Sequence, residues 1–127
     1  MKKNKKGSDS TTAIPDLSEH QIQCAVVDYC ALKGIPVFAI PNGGDRHVAV
    51  AVKLKKEGVK SGVPDLFIPI VNSKYGGLFI EMKKPKGKLS DVQKFWLNLL
   101  EDQGYRVKVC YGVDEAIKWI EDYCRIA

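Results

Sequence analysis

A chain of 127 residues with 45% hydrophobic content can bury one modest core, so one compact domain is expected. Its formal charge of +5 and pI near 9.0 favour a polyanionic partner over an acidic or neutral one. No apolar run approaches the roughly 18 residues that a membrane-spanning helix needs, and no signal peptide is visible. A cytoplasmic protein without a membrane partner is therefore the expectation.

Residues 1–15, with Lys2, Lys3, Lys5 and Lys6 followed by a Ser/Thr run, have nothing to bury and read as a disordered tail. Its lysines could serve as a salt-sensitive phosphate-binding arm or simply as a solubilising tail. The folded domain is expected over residues 16–127. Ser18 and Gln21 have capping-box spacing and open a helix with Ile22, Ala25, Val26, Tyr29 and Cys30 as its apolar stripe, ended by Gly34. Pro36 to Ile40 reads as a short strand, stopped by Pro41-Asn42-Gly43-Gly44. Residues 46–57 fit a helix with Val48, Ala51, Val52 and Lys55 on one side and Gly58 closing it, although the alternating valines also permit a strand.

Asp65 opens an apolar run through Ile70, and Leu78 to Lys83 forms a second one, with Asn72, Ser73, Gly76 and Gly77 between them. That pattern predicts a hairpin. Ser90 to Gln103 predicts a helix with Val92, Phe95, Trp96, Leu99 and Leu100 inward and Gly104 at its end. Tyr105 to Tyr111 reads as a strand. Asp114 is expected to cap a last helix whose Ala116, Ile117, Ile120 and Tyr123 face the core. A strand-helix-strand unit makes a parallel crossover, whereas shorter connections favour antiparallel pairs. The fold class is therefore α/β, a mixed central β-sheet flanked by helices on both faces.

The chemistry concentrates at Asp65, Glu81 and Lys83. Glu81-Met82-Lys83 is the one acid-x-lysine triplet in the chain. The strand period of two points Glu81 and Lys83 the same way. Pairing the hairpin strands brings Asp65 close to Glu81, within reach of one shared cation. A carboxylate and a lysine two apart can also be no more than the solvated face of a strand. The apolar residues around this triplet argue instead for partial shielding from water. Cys24, Cys30, Cys110 and Cys124 show no Cys-x-x-Cys pair, and His20 and His47 lack ligand spacing. Reduced thiols and no zinc are expected.

The run Gly62-Val63-Pro64-Asp65-Leu66, then Phe79 to Lys83, then Leu89-Ser90-Asp91-Val92-Gln93 resembles the VRR-NUC branch of the PD-(D/E)XK nuclease superfamily. Glu19 and Pro41-Asn42-Gly43 also match that branch, and the likeness spans roughly residues 17–112. The resemblance implies a restriction-endonuclease-like αβββαβ core and a metal-dependent DNA nuclease. It further implies metal ligation by Glu19, Asp65, Glu81 and the Met82 backbone carbonyl, water positioning by Lys83, and a site role for Gln93. Mg2+ is the implied metal, with Mn2+ able to substitute, and no small-molecule cofactor. Stand-alone members of the branch resemble homodimers that cut branched DNA such as four-way junctions.

Residue chemistry is consistent with those roles. Phosphodiester hydrolysis gathers negative charge and needs a hydroxide-like nucleophile near neutral pH, and a divalent ion held by carboxylates serves both needs. Other uses stand beside these roles. Glu19 in a first helical turn favours the helix dipole, and Gln93 can satisfy the Ser90 amide. Lys84, Lys86 and Lys88 would contact backbone phosphates beside such a site, as could Lys53, Lys55, Lys56 and Lys60. Asn42 and Arg46 flank a small-residue turn that allows close phosphate approach but equally suits an ordinary strand-to-helix connection. Trp96 and Trp119 read as core or interface residues. Three alternatives remain at this level: a non-catalytic nucleic-acid-binding module, a less selective endonuclease acting on single strands or flaps, and a structural subunit whose basic face docks an acidic protein.

Overall fold

The computed structural model describes residues 16–42 and 47–127. The expected tail at 1–15, and Gly43, Gly44 and Arg46, lie outside the described residues. The elements run α1 (Glu19–Lys33), β1 (Phe38–Ala39), α2 (Val48–Lys56), β2 (Leu66–Ile68), β3 (Leu78–Lys83), α3 (Asp91–Asp102), β4 (Arg106–Tyr111) and α4 (Val113–Cys124). This is the expected order. The capping box at α1 forms in full: Ser18 Oγ accepts from the Gln21 amide at 3.1 Å, and Gln21 Oε1 accepts from the Ser18 amide at 2.9 Å. Gly34 ends that helix with a left-handed φ of 71°, a conformation that costs glycine little.

The four strands form one sheet in the order β1-β2-β3-β4. β1 with β2 and β2 with β3 are antiparallel, and β3 with β4 is parallel. The register sets Leu66 opposite Ile80 and Ile68 opposite Leu78, so these side chains share one face with Met82 and Cys110. On that face they pack against Ile22, Val26 and Cys30 of α1 and Ala116, Ile120 and Tyr123 of α4. Each large aliphatic buried there contributes on the order of 2 kcal/mol. This layer holds the fold.

The other face is divided. Its far end is aromatic, with Phe67 and Phe79 ring centroids 4.4 Å apart and Tyr105 edge-on to Phe79 at 5.2 Å. Its near end carries Glu81 and Lys83, both buried, and α3 lies over it. Helices thus cover both faces of a mixed sheet, as the sequence predicts.

Three local expectations need correction. Along α3, Val92 and Phe95 are 44% and 58% exposed, while Trp96, Leu99 and Leu100 are half-buried. Helical periodicity identifies one apolar side, but this sheet is too narrow to cover all of it. Along α2, Ala51 and Leu54 turn inward and Val48 and Val52 face solvent; the inward pair lines a cavity of about 390 Å³ together with Val92 and Trp96 of α3. Finally, α4 is capped by Gly112 with no side-chain cap bond, and Asp114 sits inside its first turn, where a negative charge favours the dipole.

Gly62 fixes the approach of the loop before β2 to α3. Its φ is +87°, and a Cβ there would lie 2.9 Å from the Val92 carbonyl carbon. A side chain at this position would push apart the segments that carry Asp65 and Gln93.

Candidate active site

The hairpin builds the site. Extending the β2–β3 register by one residue beyond the Leu66–Ile80 pair sets Asp65 across from Glu81 on the polar face. Asp65 is held on both oxygens: Oδ2 accepts the Met82 amide at 2.8 Å, and Oδ1 accepts Asn42 Nδ2 at 3.2 Å. Asn42 also donates to the Val63 carbonyl at 3.3 Å. It therefore ties the turn after β1 to the strand that carries Asp65. Its part in orienting Asp65 is a contact that the sequence reading missed; an amide side chain beside Pro41, at the end of a strand, was the available signal.

Glu81 is 2% exposed. Its Oε2 accepts Gln93 Nε2 at 3.2 Å and lies 3.7 Å from Lys83 Nζ. Its Oε1 is buried without a partner. Burial, and then the Asp65 charge, push its carboxyl up from 4.5 to about 8, while Lys83 pulls the other way. A buried acceptor without a donor is costly, and more so when charged. The pocket is thus short of positive charge at one carboxylate oxygen.

Gln93 performs two tasks. Its Oε1 accepts the Ser90 amide at 2.9 Å, completing a capping box at the start of α3, and its Nε2 reaches Glu81. The helix terminus and the site are fastened by one side chain. Lys83, 7% exposed, has Tyr111 beside it in register on β4. Tyr111 is 41% exposed and was not singled out from the sequence, although the parallel crossover could have pointed to it.

Glu19 stands exposed in the first turn of α1. Its charge contributes to raising the Glu81 carboxyl, but no group of three His, Cys, Asp or Glu side chains poised for a metal forms among the described residues. Asp65 and Glu81 form the close pair, with Glu19 outside it. Lys53, Lys56 and Lys60 are exposed on and after α2, and Lys84, Lys86 and Lys88 are exposed in the β3–α3 connection. Lys86 has a left-handed φ of 68°. The four cysteines are free, with Cys30 and Cys110 buried and Cys24 and Cys124 exposed.

Residues 11–114 match the family model described as the VRR-NUC domain. A Fanconi-associated nuclease 1 homolog of Schizosaccharomyces pombe is 34% identical over 77 residues, which is 59% of this chain and 10% of that protein. The chain thus spans about a tenth of that relative's length. A solved structure described as a VRR_NUC domain protein superposes with a TM-score of 0.76 at 29% identity, covering 90% of this chain and 93% of the other. A second, described as a VRR_NUC domain, gives a TM-score of 0.58 at 21% identity over 83% of this chain and 96% of its own, which speaks for the fold alone. With the sequence match running from residue 11 to residue 114 around the Asp65–Glu81–Lys83 hairpin, the chain belongs to the VRR-NUC family of nuclease domains.

Proposed function

We propose that residues 16–127 form one nuclease domain, a divalent-metal-dependent endonuclease that hydrolyses phosphodiester bonds in DNA. The observation that carries this reading is Glu81: a buried carboxyl with an orphan oxygen, its pKa raised to about 8 beside a second carboxylate. A divalent cation held by Asp65 and Glu81 would supply the missing partner, and hard carboxylate oxygens suit Mg2+ or Mn2+. The Met82 carbonyl and Glu19 would complete the ligand set. When bound, such an ion polarises a phosphoryl oxygen and lowers the pKa of water near the scissile bond.

The chain's own groups do the rest. Asn42 and the Met82 amide hold Asp65 in place, and Gln93 holds Glu81. Lys83 Nζ, 3.7 Å from Glu81, orients the attacking water and stabilises charge that develops on the phosphate. Lys84, Lys86 and Lys88, with Lys53, Lys56, Lys60 and Arg46, bind backbone phosphates and set the register of the DNA. Four free thiols suit action in a reducing cytoplasm.

For the substrate we favour branched DNA cut by a homodimer. Support comes from the family likeness and from the apolar side of α3, where Val92 and Phe95 face solvent and offer a second copy a surface to bury. The test is a panel of labelled four-way junction, flap, single-stranded and linear duplex DNA with mapped cut sites, in Mg2+ and in Mn2+. Paired symmetric nicks across the junction are expected. Scattered cuts on every substrate would indicate an unselective endonuclease. Intact DNA with persistent binding would indicate a non-catalytic module.

A further inference from the structure

Cations gather at a second place. β4 is the edge strand of the sheet, and its parallel register sets Arg106 beside Leu78 and Lys108 beside Ile80. Their side chains therefore leave the sheet on the α1–α4 face, opposite Glu81 and Lys83. There they meet Trp119 of α4. Lys108 Nζ lies 3.8 Å from the centroid of the Trp119 ring, and the Arg106 guanidinium 5.5 Å from it. The guanidinium is also 5.5 Å from the Tyr75 ring, which steadies it between two aromatic groups. Lys118 approaches the same indole at 5.5 Å.

Carboxylates do not balance this cluster. Asp122, on the cavity wall, is engaged by Arg125 at 2.7 Å and by Lys118 at 4.0 Å. Among the described residues, Arg106 and Lys108 have no ion-pair partner; burial, and then the Arg106 charge, push the Lys108 amine below its ordinary value, while Glu101 pulls the other way. Arg106, Lys108, Trp119 and Asp122 line a cavity of about 70 Å³. Cation–π attraction offsets part of the repulsion between neighbouring cations and leaves the positive charge uncancelled. Three cations that converge on one ring, two of them without an acid, form a prearranged anion site. Guanidinium and ammonium donors match phosphate oxygens.

We infer that Arg106, Lys108 and Lys118, arranged around Trp119, bind a phosphate of the nucleic-acid backbone on the side of the sheet away from the carboxylates. The inference rests on the reading of the chain as a DNA nuclease, because that activity supplies a polyanionic ligand. DNA that occupies both places turns around the β4 edge. A bent or branched duplex can do this, whereas a short straight one remains on one face.

The test is equilibrium binding of a fluorescent four-way DNA junction in EDTA, where cutting does not intervene. The wild-type chain is compared with the Lys108→Gln/Lys118→Gln double variant and with Lys108→Arg/Lys118→Arg, each measured across a salt series. The Gln pair is expected to bind about tenfold more weakly near 0.1 M salt. Its plot of log K against log salt should be shallower by roughly 0.9, the change expected when one phosphate contact is lost. The Arg pair should retain both the affinity and the slope. An unchanged slope in the Gln pair overturns the site, whatever happens to affinity. An equal loss of slope in the Arg pair also overturns it, because the effect would then follow from disturbed structure. If the wild-type chain binds no DNA, the nuclease reading and this site fail together; if it binds and the Gln pair matches it, this site alone fails.

Discussion

Replacing Glu81 by glutamine removes the charge that the pocket tolerates least while keeping the shape of the side chain. In metal-free protein the Glu81 carboxyl titrates near 8 when folded, against an ordinary value of 4.5. The folded midpoint is the higher one, so the contribution of Glu81 to stability is complete below about pH 4.5 and is lost as the pH rises toward about 8. With about 1.4 kcal/mol for each tenfold in proton affinity, the wild-type chain forfeits roughly 1 kcal/mol at pH 5 and roughly 3 kcal/mol at pH 7. The Glu81→Gln variant has no such dependence. Its amide would occupy the place of the orphan Oε1 and carry a fixed cost of about 1–2 kcal/mol for an unpaired buried donor. Urea denaturation in EDTA should therefore find the variant slightly less stable than wild type at pH 5, and equal or more stable at pH 7. The difference between the two pH values should be about 2 kcal/mol in favour of the variant, or on the order of 8 °C in Tm. A stability difference that stays flat across this range would refute the account of Glu81 as a buried, unneutralised acid.

Other consequences can be measured as directly. Divalent metal must displace the Glu81 proton, so its affinity by calorimetry should fall up to tenfold for each pH unit below about 8; an affinity constant between pH 6 and 8 would count against Glu81 as a ligand. Gly62→Ala combines a left-handed φ with a clash against Val92 and should cost more than about 2 kcal/mol of stability, whereas an unchanged denaturation midpoint would mean that the loop yields freely. Tyr123→Phe removes the 2.6 Å hydrogen bond from the phenol to the Ile70 carbonyl. It should cost about 1–2 kcal/mol in chemical denaturation, and a neutral effect would show that water replaces the hydroxyl.

Much of the site is legible in the sequence, because it depends on local rules. The strand period aligns Glu81 with Lys83, the hairpin brings Asp65 across from Glu81, and the spacing of Ser90 and Gln93 announces a cap that the structure completes. Gln93 also reaches Glu81, so cap and site proved to be the same contact. What was not legible depends on how elements meet. Periodicity placed Val92 and Phe95 on the apolar side of α3, but whether the sheet extends far enough to cover them is a tertiary matter, and it does not. Asp114 has the chemistry of a cap, yet β4 ends at Tyr111 and leaves the cap position to Gly112. Nothing in the linear sequence singles out Arg106 and Lys108; the parallel register assigns them to the face of Trp119.

The central claim is that Asp65, Glu81 and Lys83 form a metal-dependent hydrolytic centre. Single-turnover cleavage of a labelled four-way junction tests it most directly, with wild type and Lys83→Ala each measured in Mg2+ and in EDTA alongside binding. The account predicts cutting by wild type in Mg2+ alone, and a loss of at least about 100-fold in Lys83→Ala with junction affinity changed by no more than about tenfold, as expected when one phosphate contact among many is lost. Cutting that persists in EDTA, or full activity in Lys83→Ala, would contradict it.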